Sequence, residues 1–294
     1  MAKEDLLDQV TGRKFYLDYP ADLADNDPVT LLLSLHGGGS FGAWQRLYFP
    51  ACDYVDSHRL VVATPTAATK TPMRRWVAEA DDAHLRNVVE LVAGRYAVAS
   101  FWLVGHSQGG MTANRLVSLD YFAARADGYL SLSGGRLGPA GHVPGFGPPP
   151  TPGEPARPLP RFAPPALPDA DLSFIFGVGE HEIVALPQTS PWAERYGAGP
   201  RIRLPDIVDT EPGQVYDKLR EGRSSATWGL LPGPGAARVY AYPGARQDRV
   251  IADIVRLGKG HTEGLEPNVT RAIIEMIVTA PRGKLRAAAM RSAG

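Results

Sequence analysis

Short apolar runs of strand length alternate along the chain with stretches whose apolar residues recur at helical spacing. This alternation predicts an α/β fold, a mainly parallel sheet with helices on both faces. Strands are expected at Lys14 to Tyr19, Thr30 to Leu35, Leu60 to Thr64, Phe101 to Val104, Tyr129 to Ser133, Leu172 to Val178, Arg238 to Tyr242 and Val250 to Leu257. A run such as Thr30-Leu-Leu-Leu-Ser-Leu shows almost no polar alternation, as expected of a parallel strand covered on both faces. Asp82 to Arg95 places Leu85, Val88, Val89, Leu91 and Val92 on one side of a helix, and Gly110 to Ala124 and about Pro267 to Val278 read as two more.

Two segments interrupt the pattern of what otherwise reads as one domain over residues 1–294. Gly138 to Pro168 holds 12 of the chain's 27 prolines, a density that allows neither helix nor interior strand. This Pro-rich insertion, 138–168, is expected to be a surface excursion, either a lid or decoration. The second insertion, roughly 187–235, carries Trp192, Tyr196, Tyr216 and Trp228, and its aromatic content suggests a lid-like cover over a substrate. The tail from Arg282, residues 282–294, is expected to fray.

Composition narrows the function. The chain's 31 Lys+Arg balance its 31 Asp+Glu, which argues against nucleic-acid and anionic-membrane partners, since both require basic excess. A single cysteine, Cys52, excludes an internal disulfide and multi-cysteine zinc sites. The N-terminus is charged from Lys3 and has no apolar signal core, and no run has the roughly 18 apolar residues of a membrane helix. The expectation is a soluble, cytoplasmic protein; the sequence does not address its oligomeric state.

The chemistry concentrates in glycine-rich turns that follow strands. After Phe101-Trp-Leu-Val comes Gly105-His106-Ser107-Gln108-Gly109-Gly110 and then a helix. This is G-x-S-x-G in the strand-turn-helix setting that exposes a nucleophilic serine, with glycines where strand and helix approach too closely for side chains. Upstream, His36-Gly37-Gly38-Gly39 ends another apolar strand and matches the loops whose backbone N–H groups receive an oxyanion. Gly38 and Gln108 are assigned as the N–H donors.

Ser107 needs a base. Of seven histidines only His261, in Gly258-Lys-Gly-His-Thr after the last strand and before the final helix, fits the chain order serine, acid, histidine. His36 and His106 belong to the glycine turns and are read as orienting backbone; His58 and His84 are read as surface or packing residues, and His142 lies in the Pro-rich insertion. The acid should follow the strand ending near Val178, where the chain offers Glu180 and Glu182 but no aspartate. Spacing does not decide between them; Glu182 is preferred and Glu180 is the alternative. His181-Glu182 does not begin a zinc-binding HExxH, because Ala185 stands where the second histidine belongs. No metal or organic cofactor is expected. Phe41 and Trp44, after the first glycine loop, and Trp76, ahead of Asp81-Asp82, are the candidate substrate contacts, with core packing as their competing role.

His36-Gly-Gly, Trp76 with Asp81-Asp82 opening a helix, Gly-His-Ser107-Gln-Gly-Gly-Met and Gly-Lys-Gly-His261-Thr together resemble the polyhydroxybutyrate depolymerase and feruloyl esterase group of the alpha/beta-hydrolase superfamily, over roughly residues 12 to 280. The resemblance implies a serine esterase that works through an acyl-enzyme, with Ser107 as nucleophile, His261 as base and Glu182 where most relatives carry aspartate. The implied partner is a small-molecule or oligomeric ester, aromatic, short-acyl or polyester-derived. A peptidase or amidase using the same triad, and a non-catalytic binding protein on the same fold, are the rival readings.

Overall fold

The computed structural model describes residues 1–134, 167–182, 186, 188–216, 228–229 and 233–292. The chain opens with an antiparallel hairpin, β1 (Ala2–Asp8) and β2 (Arg13–Tyr19), followed by β3 (Val29–Leu35), α1 (Gly42–Tyr48), α2 (Val55–His58) and β4 (Leu60–Pro65). Then come α3 (Ala78–Arg95), β5 (Val98–His106), α4 (Gln108–Leu116), α5 (Asp120–Ala123), β6 (Gly128–Leu132) and β7 (Ser173–Gly179). The remainder is α6 (Pro191–Arg195), the short strands β8 (Ile202–Arg203) and β9 (Ile207–Val208), β10 (Ala236–Ala241), β11 (Ile251–Arg256), α7 (Pro267–Thr279) and α8 (Lys284–Ser292).

All the strands join one sheet in the order β1-β2-β4-β3-β5-β6-β7-β11-β10-β8, with β9 also paired to β10. The centre from β4 to β11 is parallel, and the antiparallel pairs lie at the two margins. Side chains alternate across the central strands into two apolar layers. Leu31, Leu33, Phe101, Leu103 and Phe174 join Leu85, Val88, Val89 and Val92 of α3 on one face. Leu32, Trp102, Val104, Leu130, Ile175 and Ile254 meet Ile273, Ile274 and Ile277 of α7 on the other. Both faces are covered, so the strand runs are continuously apolar, and the expected strands and fold class agree with the structure. Gly128 makes room for this packing: a Cβ there would stand 2.2 Å from the Trp102 indole.

Several expectations need correction. The tail from residue 282 does not fray at its start: α8 runs over Lys284–Ser292 with Leu285 and Ala288 buried, and Lys284 Nζ donates to the carbonyls of Ala123 (2.6 Å) and Asp171 (2.8 Å). The single helix expected over Gly110 to Ala124 is two, broken where Leu119 takes an extended conformation and α5 turns Phe122 into the core. Leu91, placed on the apolar side of α3, is exposed. Strand β1 was not foreseen, because Lys3, Glu4 and Asp5 give it no apolar alternation; it is held by its register with β2 and by Glu4, whose carboxylate takes two bonds from Arg95 at 2.6 and 2.7 Å. Nearly all of the Pro-rich insertion lies outside the described residues. In the lid-like insertion, Trp192 of α6 and the following Tyr196 are buried in the core rather than turned toward a substrate.

Candidate active site

The backbone at Ser107 is set by the tight passage from β5 into α4. Ser107 has φ 51° and ψ −118°, outside the conformations that a side-chain-bearing residue prefers, and its N–H donates to the Leu132 carbonyl at 2.8 Å. The flanking glycines are required sterically. A Cβ on Gly105 would lie 2.3 Å from the Gly109 carbonyl group, and one on Gly109 would lie 2.2 Å from the Leu35 carbonyl oxygen. The turn therefore presents the serine at the carboxyl end of β5, at the start of a helix whose first N–H groups have no partner within the helix.

Three side chains far apart in sequence converge there. Ser107 Oγ lies 2.8 Å from His261 Nε2, and His261 Nδ1 lies 2.8 Å from Glu182 Oε2. The carboxylate fixes the proton on Nδ1 and leaves Nε2 to accept from the serine hydroxyl. All three are nearly buried, so their mutual interaction is weakly screened by water. Glu180 faces elsewhere: its Oε2 accepts the N–H of Gly258 at 2.9 Å and closes the turn that leads to His261. Of the two glutamates that spacing left open, Glu182 reaches the imidazole and Glu180 does not.

No family model matches the chain, and no curated protein does. Among solved structures, TT1662 from Thermus thermophilus is 18% identical and superposes with a TM-score of 0.53 over 96% of this chain and 100% of the other. An acetyl xylan esterase from Aspergillus awamori is 13% identical, with a TM-score of 0.52 over 94% of this chain and 99% of that one. The chain has the alpha/beta-hydrolase fold.

In this hydrolase fold the glycine loop after β3 lies against the Ser107 turn. A Cβ on Gly37 would be 2.8 Å from His106 Nδ1 and 3.3 Å from Ser107 Cβ. Gly39, at φ +76°, donates its N–H to the Arg74 carbonyl at 2.8 Å. Among the described residues no acceptor meets the N–H of Gly38, and Gln108 stands at the first position of α4. The side chain of Gln108 is engaged separately, its Oε1 accepting the N–H of Trp76 at 3.2 Å.

His36 and His106 do orient backbone. His36 Nε2 accepts the Ala67 N–H at 3.0 Å while its Nδ1 lies 2.8 Å from the Gly37 carbonyl, and burial pushes its pKa down to about 4, so the ring is neutral. His106 is also held well below the usual histidine range, by burial and then by the neighbouring His261; its Nε2 donates to the His261 carbonyl at 2.9 Å.

The candidate substrate contacts divide. Trp76 is buried, its indole N–H bound to the His36 carbonyl at 2.8 Å and its ring 4.7 Å from the His36 ring. It is a strut under the glycine loop, which corrects its expected place on the substrate surface. Phe41 is half exposed beside that loop. Trp44 is partly buried, stacked on Tyr48 and tilted against His106.

Sequence reasoning named Asp81, Asp82 and Trp228 without giving them a supporting role, and passed over Arg256. Asp81 accepts bonds from Arg13 (2.8 Å) and from the N–H groups of Ala68 (3.0 Å) and Val77 (2.7 Å), tying the loop before α3. Asp82 makes a two-bond pair with Arg115 of α4. Buried Arg256 grips the carbonyls of Glu263 and Gly264 and the carboxylate of Glu266, fixing the loop that carries His261. Trp228, from the lid-like insertion, stands edge-on to the His261 ring at 5.1 Å, and its carbonyl accepts both the N–H and the hydroxyl of Thr262. Among the described residues no group of three or more histidine, cysteine, aspartate or glutamate side chains could hold a metal, and no helix is long and apolar enough to cross a membrane.

Proposed function

We propose that this protein is a serine carboxylic ester hydrolase that works through an acyl-enzyme. The observation that carries the reading is the imidazole bridge, His261 set between Ser107 Oγ and Glu182 Oε2 at 2.8 Å on each side, on a strained turn at the head of α4. In the first step Ser107 Oγ attacks the ester carbonyl carbon while its proton passes to His261 Nε2. The carbonyl oxygen takes up the negative charge, and the N–H groups of Gly38 and Gln108 receive it. The imidazolium, stabilised by Glu182, then gives its proton to the departing alcohol oxygen as the C–O bond breaks. Water, deprotonated by His261, attacks the acyl carbon; the Ser107 ester bond breaks and the proton returns to Oγ.

No cofactor takes part in this scheme. The substrate is an ester with a small aromatic, short-acyl or polyester-derived acyl group, and half-exposed Phe41 and partly buried Trp44 offer apolar surface next to the glycine loop. Intact-mass analysis after a fluorophosphonate probe, alongside turnover of p-nitrophenyl acyl esters and methyl ferulate, tests the reading. The expected result is one label, on Ser107, with ester turnover that the label abolishes. A folded sample that neither labels nor turns over would leave a hydrolase-fold binding protein, and faster cleavage of matched amides than esters would make it an amidase.

A further inference from the structure

The acid of the site has a second partner. Glu182 uses Oε2 for His261, and its Oε1 accepts a hydrogen bond from Ser133 Oγ at 2.5 Å. Ser133 follows β6 and is held in the left-handed region, φ 55°, where a residue with a Cβ is strained. Its surroundings fix it there. Its N–H donates to the Gly177 carbonyl at 2.8 Å, Leu132 before it accepts the N–H of Ser107, and Gly134 after it is wedged so tightly that a Cβ would stand 2.5 Å from Gly110 Cα. The backbone strain puts the hydroxyl on the carboxylate, and strain of this kind persists where the surrounding structure imposes it.

We propose that Ser133 is a positioning residue: its hydroxyl anchors Oε1 of Glu182 so that Oε2 meets His261 Nδ1. A glutamate has one more side-chain torsion than an aspartate to immobilise before its carboxylate can orient an imidazole. A single bond to His261 leaves rotation about the last torsion free, and a second bond to the other oxygen stops it. Ser133 touches neither His261 nor Ser107 through a hydrogen bond of its side chain and acts through Glu182.

The inference rests on the reading of Ser107 as nucleophile, and the test separates the two. Ser133→Gly removes the hydroxyl and suits a positive φ, so its melting temperature should equal or exceed that of the unmodified protein. Its kcat/KM for a p-nitrophenyl ester should nonetheless fall about 10- to 100-fold, the loss of one hydrogen bond to a charged group. The loss should fall on kcat with KM little changed, because the hydroxyl acts on the imidazole through Glu182 and not on substrate binding. On a Glu182→Gln background the same change should cost little more, because its route is gone. Ser133→Ala, which keeps a Cβ, should repeat the activity loss at lower stability. Unaltered kcat/KM in Ser133→Gly, a loss carried by KM alone, or an equal loss on the Glu182→Gln background overturns the inference while fluorophosphonate labelling of Ser107 in the unmodified protein stands. Failure of that labelling overturns the functional reading itself.

Discussion

Among the described residues, two clusters are each built from a hydroxyl, a histidine and a carboxylate, and they are wired differently. At the carboxyl end of the parallel strands, His261 presents Nδ1 to Glu182 and Nε2 to Ser107, one partner on each side of the ring. Beside the β1–β2 hairpin, Thr11 Oγ1 and Asp8 Oδ2 both converge on Nδ1 of His84, at 3.2 and 2.8 Å, and Thr11 donates directly to Asp8. His84 Nε2 is buried with no partner among the described residues. A base there has no hydroxyl to deprotonate, because the threonine proton already belongs to the carboxylate. Residue types do not make a catalytic site; what matters is which ring nitrogen faces which group. The hairpin cluster ties β1 to α3, with Asn87 also donating to Asp8.

The comparison is broken most directly by removing the hydroxyls. Ser107→Ala should lower kcat about 10⁶-fold with the fold retained, whereas Thr11→Ala should leave ester turnover unchanged and cost about 1 kcal/mol in denaturant unfolding. The carboxylates come next. Glu182→Gln should lower kcat by about 10⁴ through loss of the tautomer and of imidazolium stabilisation, while Glu180→Gln and Asp8→Asn should keep most of the activity. Steady-state rates on one p-nitrophenyl ester rank all three, and a larger loss for Glu180→Gln than for Glu182→Gln would reassign the acid.

Acid titration sharpens the contrast through stability. Burial holds His84 below the usual histidine range, with Asp8 opposing, so it stays neutral in the folded protein while the unfolded chain takes up a proton near pH 6.5. That contribution is complete above pH ~6.5 and is lost as the pH falls below it, at a slope of up to about 1.4 kcal/mol per pH unit. Asp8 is also held below its ordinary range. Desolvation would raise it, but the bonds from Thr11, His84, Asn87 and the Val10 N–H outweigh that, so its contribution is lost only under about pH 4. Urea melts of His84→Gln should therefore lose part of the pH dependence between 7 and 5, and those of Asp8→Asn should not. The smallest effect is expected under the glycine loop. Trp76→Phe removes the indole bond to the His36 carbonyl and should cost about 1 kcal/mol and a few-fold in kcat.

Much of this arrangement was legible in one dimension. The parallel sheet was readable because burial on both faces forces continuous apolar runs, and the Ser107 turn because Gly105 and Gly109 are demanded by backbone contacts that admit no Cβ. His261 followed from its place after the last strand. What failed lacked a periodic signal. Strand β1 opens with Lys3, Glu4 and Asp5 in place of an apolar alternation, α8 is recognised only by what it docks against, and nothing local to Trp76 signals that its indole N–H binds the His36 carbonyl.

The sequence by itself determined the central apolar strands and the glycine turns that follow them, since both show in residues adjacent in the chain. Only the tertiary structure decided which partners those turns acquire. Glu180 and Glu182 are equivalent in spacing, and which of them meets an imidazole depends on residues nearly 80 positions away, where His261 Nδ1, 79 residues from Glu182, meets its carboxylate and Gly258 N–H meets that of Glu180. The same holds for Ser133, an unremarkable serine after a strand until β6, β7 and the Ser107 turn close around it and aim its hydroxyl at Glu182. Hydrogen bonds are short and directional, so assigning them requires positions to within a fraction of an ångström, and such positions exist only once the chain has packed.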